Sequence, residues 1–231
     1  MARLARVVIP GVAHHVTQRG NRRLPVFFAD DDRRFYLDLL RQHCAAARVR
    51  CLAWCLMDNH VHLILVPEDA DGLRAALGEA HRRYTRAINF REGWRGFLFQ
   101  GRFASYPMDD AHLMRAVRYV ELNPVAAGMV AAPQDWAWSS ARSHLAGRRV
   151  AGDPLTDVAA LAAHVANWRA LLRHGVEAAG VDAAGEAVLA AIEARLRTGR
   201  PLGSEPWIAR QEAAMARQLT PQRRGPKARG G

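Results

Sequence analysis

His60 and His62 stand two residues apart in the run Met57-Asp58-Asn59-His60-Val61-His62-Leu63-Ile64-Leu65-Val66. In an extended chain alternate side chains leave on opposite faces. Both imidazoles therefore point one way, and Val61, Leu63 and Leu65 point the other. Such a strand can bury its apolar face and hold one metal ion with two neutral imidazole nitrogens. The commoner use of an H-x-H pair is as two ordinary polar-face residues, so the pair alone does not make a site. A site also needs a third ligand, a reacting group and a substrate.

A second stretch offers the first two. In Met114-Arg115-Ala116-Val117-Arg118-Tyr119-Val120-Glu121-Leu122-Asn123-Pro124, the residues Arg115, Tyr119 and Asn123 are spaced by four and share one helical face. Val117, Val120 and Met114 can pack the opposite side. A boundary aromatic with its hydroxyl in water is the commoner use of tyrosine. The functional reading makes Tyr119 a nucleophile and Asn123 an oxygen ligand one turn away. Attack of a hydroxyl on a phosphodiester needs negative charge on the phosphate neutralised, which a Lewis-acidic metal supplies. Two imidazoles and an amide oxygen leave positions for phosphate and water. That set suits Mg²⁺ or Mn²⁺, and Mn²⁺ is the better match to imidazole.

The charge balance points to the substrate. The chain of 231 residues has a formal net charge of +11, and 32 of its 33 basic side chains are Arg, with Lys227 the exception. Arg pairs bidentately with phosphate oxygens and stacks on bases, so a nucleic-acid partner leads. A G+C-rich coding sequence would raise Arg over Lys, but it does not explain the excess of bases over acids. Cys44, Cys51 and Cys55 make no disulfide framework, because two cysteines four apart on a strand lie about 13 Å apart. A reduced cytoplasmic protein, nucleoid-associated through its DNA, is the expectation. No apolar run is long enough to span a membrane, and Met1-Ala2-Arg3-Leu4-Ala5-Arg6 leads into no signal-peptide core.

These residues need elements to hold them. Ala13 to Arg19 reads as a strand, followed by a basic turn at Gly20-Asn21-Arg22-Arg23. Asp30-Asp31-Asp32 opens a helix over about 31–48, and Val49 to Leu56 reads as a strand paired with 60–66 in a hairpin. Gly72 to Arg91 is an amphipathic helix with Arg74, Arg82, Arg83 and Arg86 on its outer side. Residues 97–106 read as a strand broken at Gly101. A third helix over about 110–122 ends before Pro124, which disfavours helical geometry at Asn123, and 124–130 could begin another short one. Pro133 to Ser140 is an irregular aromatic segment packed on the domain. The order fits an α+β, ferredoxin-like antiparallel sheet with helices on one face. Beyond about Gly152 the chain turns Ala-rich and helical, with candidates at 157–174, 183–198 and 204–218. Ser204 is a candidate N-cap. The expected organisation is a catalytic domain at 1–150, a helical region at 151–218, and a basic flexible tail at 219–231.

With these residues in view, the chain resembles a known family. His60-Val61-His62 resembles the His-hydrophobic-His (HUH) motif of single-tyrosine DNA transposases. Tyr119-Val120-Glu121-Leu122-Asn123-Pro124-Val125 resembles the segment carrying their tyrosine. More narrowly, the chain is similar to the REP-associated tyrosine transposases. Gly20-Asn21-Arg22, Phe99-Gln100-Gly101-Arg102-Phe103, Trp138-Ser139-Ser140 and Thr198-Gly199-Arg200-Pro201-Leu202-Gly203 add to the resemblance, which is strong over residues 5–150 and weaker beyond.

The resemblance implies an HUH endonuclease core in which His60, His62 and Asn123 hold Mg²⁺ or Mn²⁺. Related transposases often carry Gln or an acid at the Asn123 position. It implies that Tyr119 attacks single-stranded DNA, leaving a 5′-phosphotyrosine and a 3′-hydroxyl, without ATP. The implied substrate is DNA with hairpins of repetitive extragenic palindromes (REP). Arg19, Asn21, Arg22, Arg102 and Arg115 are the candidate DNA contacts. A monomer is expected, with a dimer as the alternative. The competing reading is a non-cleaving hairpin-binding regulator on the same fold. A zinc hydrolase is disfavoured, because the chain has no H-E-x-x-H and no deaminase-type Cys pair.

Overall fold

The computed structural model describes residues 6–179 and 198–220. Its frame is β1 (His14–Arg19), α1 (Asp30–Ala46), β2 (Val49–Leu56), β3 (His60–Pro67), α2 (Gly72–Glu92) and β4 (Ala104–Pro107). The strands pair antiparallel in the order β2-β3-β1-β4, which is the ferredoxin-like arrangement expected from the element order. The Asp58-Asn59 turn joins β2 to β3, closed by Met57 N–H donating to His60 O at 2.9 Å.

The acidic start of α1 does specific work. The Asp32 carboxylate accepts from Phe28 N–H at 2.8 Å and from Ala29 N–H at 3.1 Å, which satisfies donors a helix start leaves open. Arg91 of α2 pairs with the same carboxylate and so ties the two helices together. Tyr36, Leu37 and Leu40 of α1, with Leu73, Leu77 and Tyr84 of α2, bury against Val16, Leu56, Val61, Leu63 and Leu65 of the sheet. Each buried leucine contributes roughly 1.5–3 kcal/mol.

Helices cover both faces of the sheet, not one. Helix α3 (Asp110–Ala126) lies on the opposite face, over Leu52, Ala53, Cys55, Ile64, Val66 and Tyr106. The physical reason is β3 itself. Its second face carries Ile64 and Val66 beside the histidines, and that apolar surface needs a cover. A register shift between Cys51 and Ala53 inserts one extra residue in β2. Cys51 therefore faces α1 and α2, whereas Cys55 faces α3. All three cysteines are free and buried, and burial pushes the Cys44 thiol up to about 12.

Helix α3 also runs past Pro124 instead of stopping before it. Proline removes the N–H that would bond the Val120 carbonyl, but only two residues of α3 follow it. The Asn123 carbonyl still accepts from Ala127 N–H at 3.0 Å, and the Pro124 carbonyl accepts from Met129 N–H at 2.9 Å. The short helix anticipated over 124–130 is instead the end of α3 and a turn.

The aromatic segment after α3 lies along the open edge of β2. Leu56 N–H donates to Trp138 O and Ser140 N–H to Trp54 O, each at 2.9 Å, so the edge is not left to pair with another chain. Helices α4 (Ala141–Leu145), α5 (Ala159–Ala162) and α6 (Trp168–Ala179) follow. The single helix expected over 157–174 is two helices, because Asn167 caps a new one by accepting from Ala170 N–H at 3.0 Å.

Residues 198–220 return to the sheet. Leu202 N–H donates to Pro107 O at 2.9 Å, and a helix follows at Glu205–Met215, with Ser204 at its N-cap. The helix candidate at 183–198 lies almost wholly outside the described residues, as do residues 221–231 of the basic tail. No helix among the described residues is long and apolar enough to cross a membrane.

Two buried histidines on the first face make stability depend on pH. Burial lowers His81 to about 3, beside the Tyr36 hydroxyl at 2.9 Å. His14 falls to about 4 through burial, opposed by its bond to Val12 O, and its Nε2 accepts from Ile9 N–H at 3.1 Å. Unfolded, both titrate near the ordinary value of about 6.5. The unfolded chain thus holds more protons between about pH 4 and 6.5, and stability rises with pH across that window. Stability is complete above about pH 6.5 and is lost as pH falls toward the folded values. Urea unfolding at a series of pH values should show a slope of up to about 1.4 kcal/mol per pH unit for each histidine. His81→Leu should flatten that slope; an unchanged slope would remove His81 from the account.

Candidate active site

Alternation on β3 sends Val61, Leu63 and Leu65 into the first core, and leaves His60 and His62 on the face under α3. The register sets their neighbours. Arg19 of β1 lies opposite His60, Thr17 opposite His62, and His15 opposite Ile64, while Tyr106 of β4 lies opposite His15. Six polar side chains therefore share one face at one end of the sheet.

Helix α3 brings Tyr119 onto that face. The Tyr119 ring stands edge-on to His62, with centroids 5.2 Å apart and planes at 82°, and to His15 at 5.9 Å and 73°. Leu113, near the start of α3, borders the cavity lined by Ala13 and Val66 at the far end of the strands. The helix thus runs antiparallel to β3 and carries Asn123 about 6 Å beyond Tyr119, toward the His60 end. His60 and His62 are themselves 4.9 Å apart by ring centroid.

The proton positions follow from the hydrogen bonds. Asn59 Nδ2 donates to Arg23 O at 2.9 Å, which leaves its Oδ1 as an acceptor. His60 Nδ1 lies 2.6 Å from that oxygen, so Nδ1 carries the proton and Nε2 presents a lone pair. His62 Nδ1 lies 3.0 Å from His15 Nε2, and His15 Nδ1 lies 2.8 Å from the Tyr106 hydroxyl. His62 Nε2 is buried and has no hydrogen-bond partner. A bare nitrogen there is costly unless a cation or substrate meets it. With His62 Nδ1–H donating to His15, that nitrogen is a free lone pair.

Burial holds these imidazoles neutral. His15 is lowered to about 3 by burial, and His60 to about 4 by burial and then by the Arg19 charge. His62 is driven well below the usual value by burial first, then by His15, His60 and Arg19. Neutral imidazole is the form that ligates a metal. Among the described residues no cluster of three or more His, Cys, Asp or Glu could hold a metal. Two imidazoles and an amide form a different donor set, and the bare His62 nitrogen fits it.

The candidate DNA contacts divide into two groups. Arg19 is half-buried beside His60, while Asn21, Arg22 and Arg102 are exposed in loops around the same end of the sheet. Asn21 N–H donates to Leu98 O and Gln100 N–H to Arg19 O, each at 2.8 Å, which joins those loops. Gly20 is needed at the junction, because a Cβ there would lie 2.1 Å from Leu24 O. Arg115 is exposed one turn before Tyr119 and stands apart from this cluster.

Several contributors have no local signature. His15 and Tyr106 back His62, and only the adjacent pair His14-His15, which places one imidazole on each sheet face, hints at it. Glu121 is fully buried on α3, with His144 Nδ1 at 2.5 Å and the Ser140 hydroxyl at 2.6 Å from its Oε1. The Trp168 indole stacks on His144 at 4.1 Å. Two residues correspond to about 200° around a helix, so Glu121 points away from Tyr119 and Asn123. Holding Glu121 therefore sets the rotation of α3 that presents them. His144→Ala should lower the unfolding free energy by roughly 3–5 kcal/mol in urea denaturation, because the carboxylate stays buried. A loss below about 1 kcal/mol would show that Ser140 alone satisfies it.

Comparisons with known proteins bear on the family and the fold. The model of the family described as Transposase IS200 like matches residues 9–123, from before β1 to Asn123. The solved structure of a REP-associated tyrosine transposase bound to a REP hairpin matches with a TM-score of 0.55. That match has 22% identity and covers 63% of this chain and 86% of the other, so it shows a shared fold. A crystal structure of a protein from Deinococcus radiodurans R1 described as a transposase matches at 21% identity over 52% of this chain and 96% of that one, with a TM-score of 0.37, too low to imply a shared fold. Among curated proteins none matches the chain.

Proposed function

The chain belongs, through residues 9–123, to the IS200-like transposase family, and from that premise we propose that it cuts and rejoins single-stranded DNA beside REP-type hairpins, with Tyr119 as nucleophile. The observation that carries this reading is the Tyr119 ring set edge-on against His62, whose buried Nε2 has no other partner. The hairpin substrate is taken from the structural relative bound to one. The basic side chains around Arg19, which have no carboxylate partner among the described residues, supply the salt-sensitive backbone attraction such a substrate needs.

His60, His62 and Asn123 would hold a divalent ion, Mg²⁺ or Mn²⁺, through two imidazole nitrogens and an amide oxygen. When bound, that ion neutralises charge on the scissile phosphate. The protein does the rest. Tyr119 Oη forms a bond to phosphorus as the P–O3′ bond breaks. The phenolic proton passes to water, and the departing O3′ takes one up as a 3′-hydroxyl. The chain is left joined to a 5′-phosphate, and a 3′-hydroxyl attacking that phosphorus reverses the step. Phosphodiester energy is retained, so no ATP is required.

His15 and Asn59 act as positioning residues, since each fixes the tautomer of the imidazole it touches. Tyr119 and the histidines come from one chain, which supports a monomer as the acting unit. Residues 1–150 form the catalytic part, and Trp168, from the helical region that follows, buttresses α3 by stacking on His144.

Incubation with a REP-type hairpin oligonucleotide and Mn²⁺ should give a covalent adduct on a denaturing gel, absent in Tyr119→Phe. An adduct persisting in that variant would sink the nucleophile assignment, and hairpin affinity without any adduct would move the reading to a non-cleaving binder. In calorimetry, His15→Phe should weaken Mn²⁺ binding roughly 10–100-fold. Unchanged affinity would remove the positioning role of His15.

A further inference from the structure

At the C-terminal end of α2 the chain displays aromatic rings that the active site does not use. Phe90 is 90% exposed, Phe97 85% and Trp94 48%. Single exposed apolar residues are common, but three large rings within eight residues are not. The segment carrying them is pinned. Asn89 Nδ2 donates to Gly96 O at 2.9 Å, and Trp94 N–H donates to Asn89 O at 2.8 Å. Gly93 and Gly96 adopt φ of 67° and 95°, which turns the loop outward. Leu98 and Phe99, each 6% exposed, anchor it in the first core. The rings are therefore held in water by a built loop.

Two further observations indicate what covers them. The loop is hydrogen-bonded to the strand end that carries Arg19, through Asn21 N–H to Leu98 O and Gln100 N–H to Arg19 O. Arg19 lies opposite His60, so the rings continue the surface that leaves the candidate site. The charges around the loop also divide, and Arg91, next to Phe90, pairs with Asp32 and Glu92. Arg74 pairs with Asp71, and Arg82 and Arg83 pair with Glu79. Arg22, Arg23 and Arg95 have no carboxylate partner among the described residues. Rigid aromatic faces beside uncompensated guanidinium groups match a polyanion with exposed bases, since each base offers a face to stack on and each phosphate a charge.

We propose that Trp94 and Phe97, with Phe90 beside them, form a stacking platform for unpaired bases of the single-stranded DNA flanking the hairpin. This rests on the reading of the protein as a hairpin-processing enzyme, and it adds a second contact region outside the reacting centre. Because the loop is already ordered, stacking loses little conformational freedom.

The test uses the full chain and two labelled hairpins in fluorescence anisotropy. One carries a single-stranded thymidine flank, and the other carries the same flank with abasic sites, which keeps the phosphates and removes the bases. The protein should bind the thymidine flank about tenfold tighter. Trp94→Ala/Phe97→Ala should erase that preference while binding the abasic probe as before, and Trp94→Phe/Phe97→Tyr should retain it. Equal binding of both probes by the unaltered protein overturns the proposal. So does a double alanine variant that keeps the preference, or one that merely turns a dimer into a monomer in sedimentation. Failure of the enzymatic reading shows separately, as absence of a Tyr119 adduct even where flank preference is intact.

Discussion

The contact between α3 and the histidine face of the sheet, closed by the Tyr119 ring on His62, is the interaction on which the rest of the molecule turns. A strand with apolar residues on one side and imidazoles on the other usually gives its polar side to water. Here both sides are covered, because Ile64 and Val66 share a face with the histidines. Covering them with α3 removes His15 and His62 from solvent. Burial then keeps both imidazoles neutral. The same packing that stabilises the fold thus creates a bare nitrogen beside a phenol.

Such a site has to be held from behind. His62 leans on His15 and His15 on Tyr106, so a line of hydrogen bonds crosses from β3 through β1 to β4. On the helix side, Glu121 engages Ser140 and His144, and Ser140 accepts from Trp54 N–H of β2 at 3.1 Å. The residues after α3 therefore reach back to fix the helix about its own axis. A buried carboxylate is expensive, and here its Oε1 is met while its Oε2 has no hydrogen-bond partner, which accords with a need for one orientation of α3 more than for added stability.

Charge is also distributed by structure. On α2 the arginines are largely occupied by acids a turn away, which makes a solvated and internally compensated surface. At the end of the sheet near His60 the guanidinium groups of Arg19, Arg22 and Arg23 lack such partners among the described residues, and exposed aromatic rings stand alongside. Part of the excess of bases over acids therefore stands beside His60.

Local pattern alone determined a great deal. The alternation from His60 to Val66 gave both imidazoles one face, the spacing of Tyr119 and Asn123 gave them another, and the strand–helix order gave the ferredoxin-like sheet. Those features depend on residues a few positions apart, which periodicity reports directly. Tertiary structure decided what lies far apart in the chain. It chose α3 as the cover of the second face and joined His62 to His15 across 47 residues. It paired Glu121 with His144 across 23, and it moved Cys55 to the side opposite Cys51 by one extra residue in β2. Pro124 shows the same limit from the other direction. Its local preference for ending a helix was outweighed by the packing of α3 on the sheet, so Asn123 stays in line with Tyr119. A buried polar group must find its partner wherever the folded chain brings one, and no spacing along the sequence records where that is.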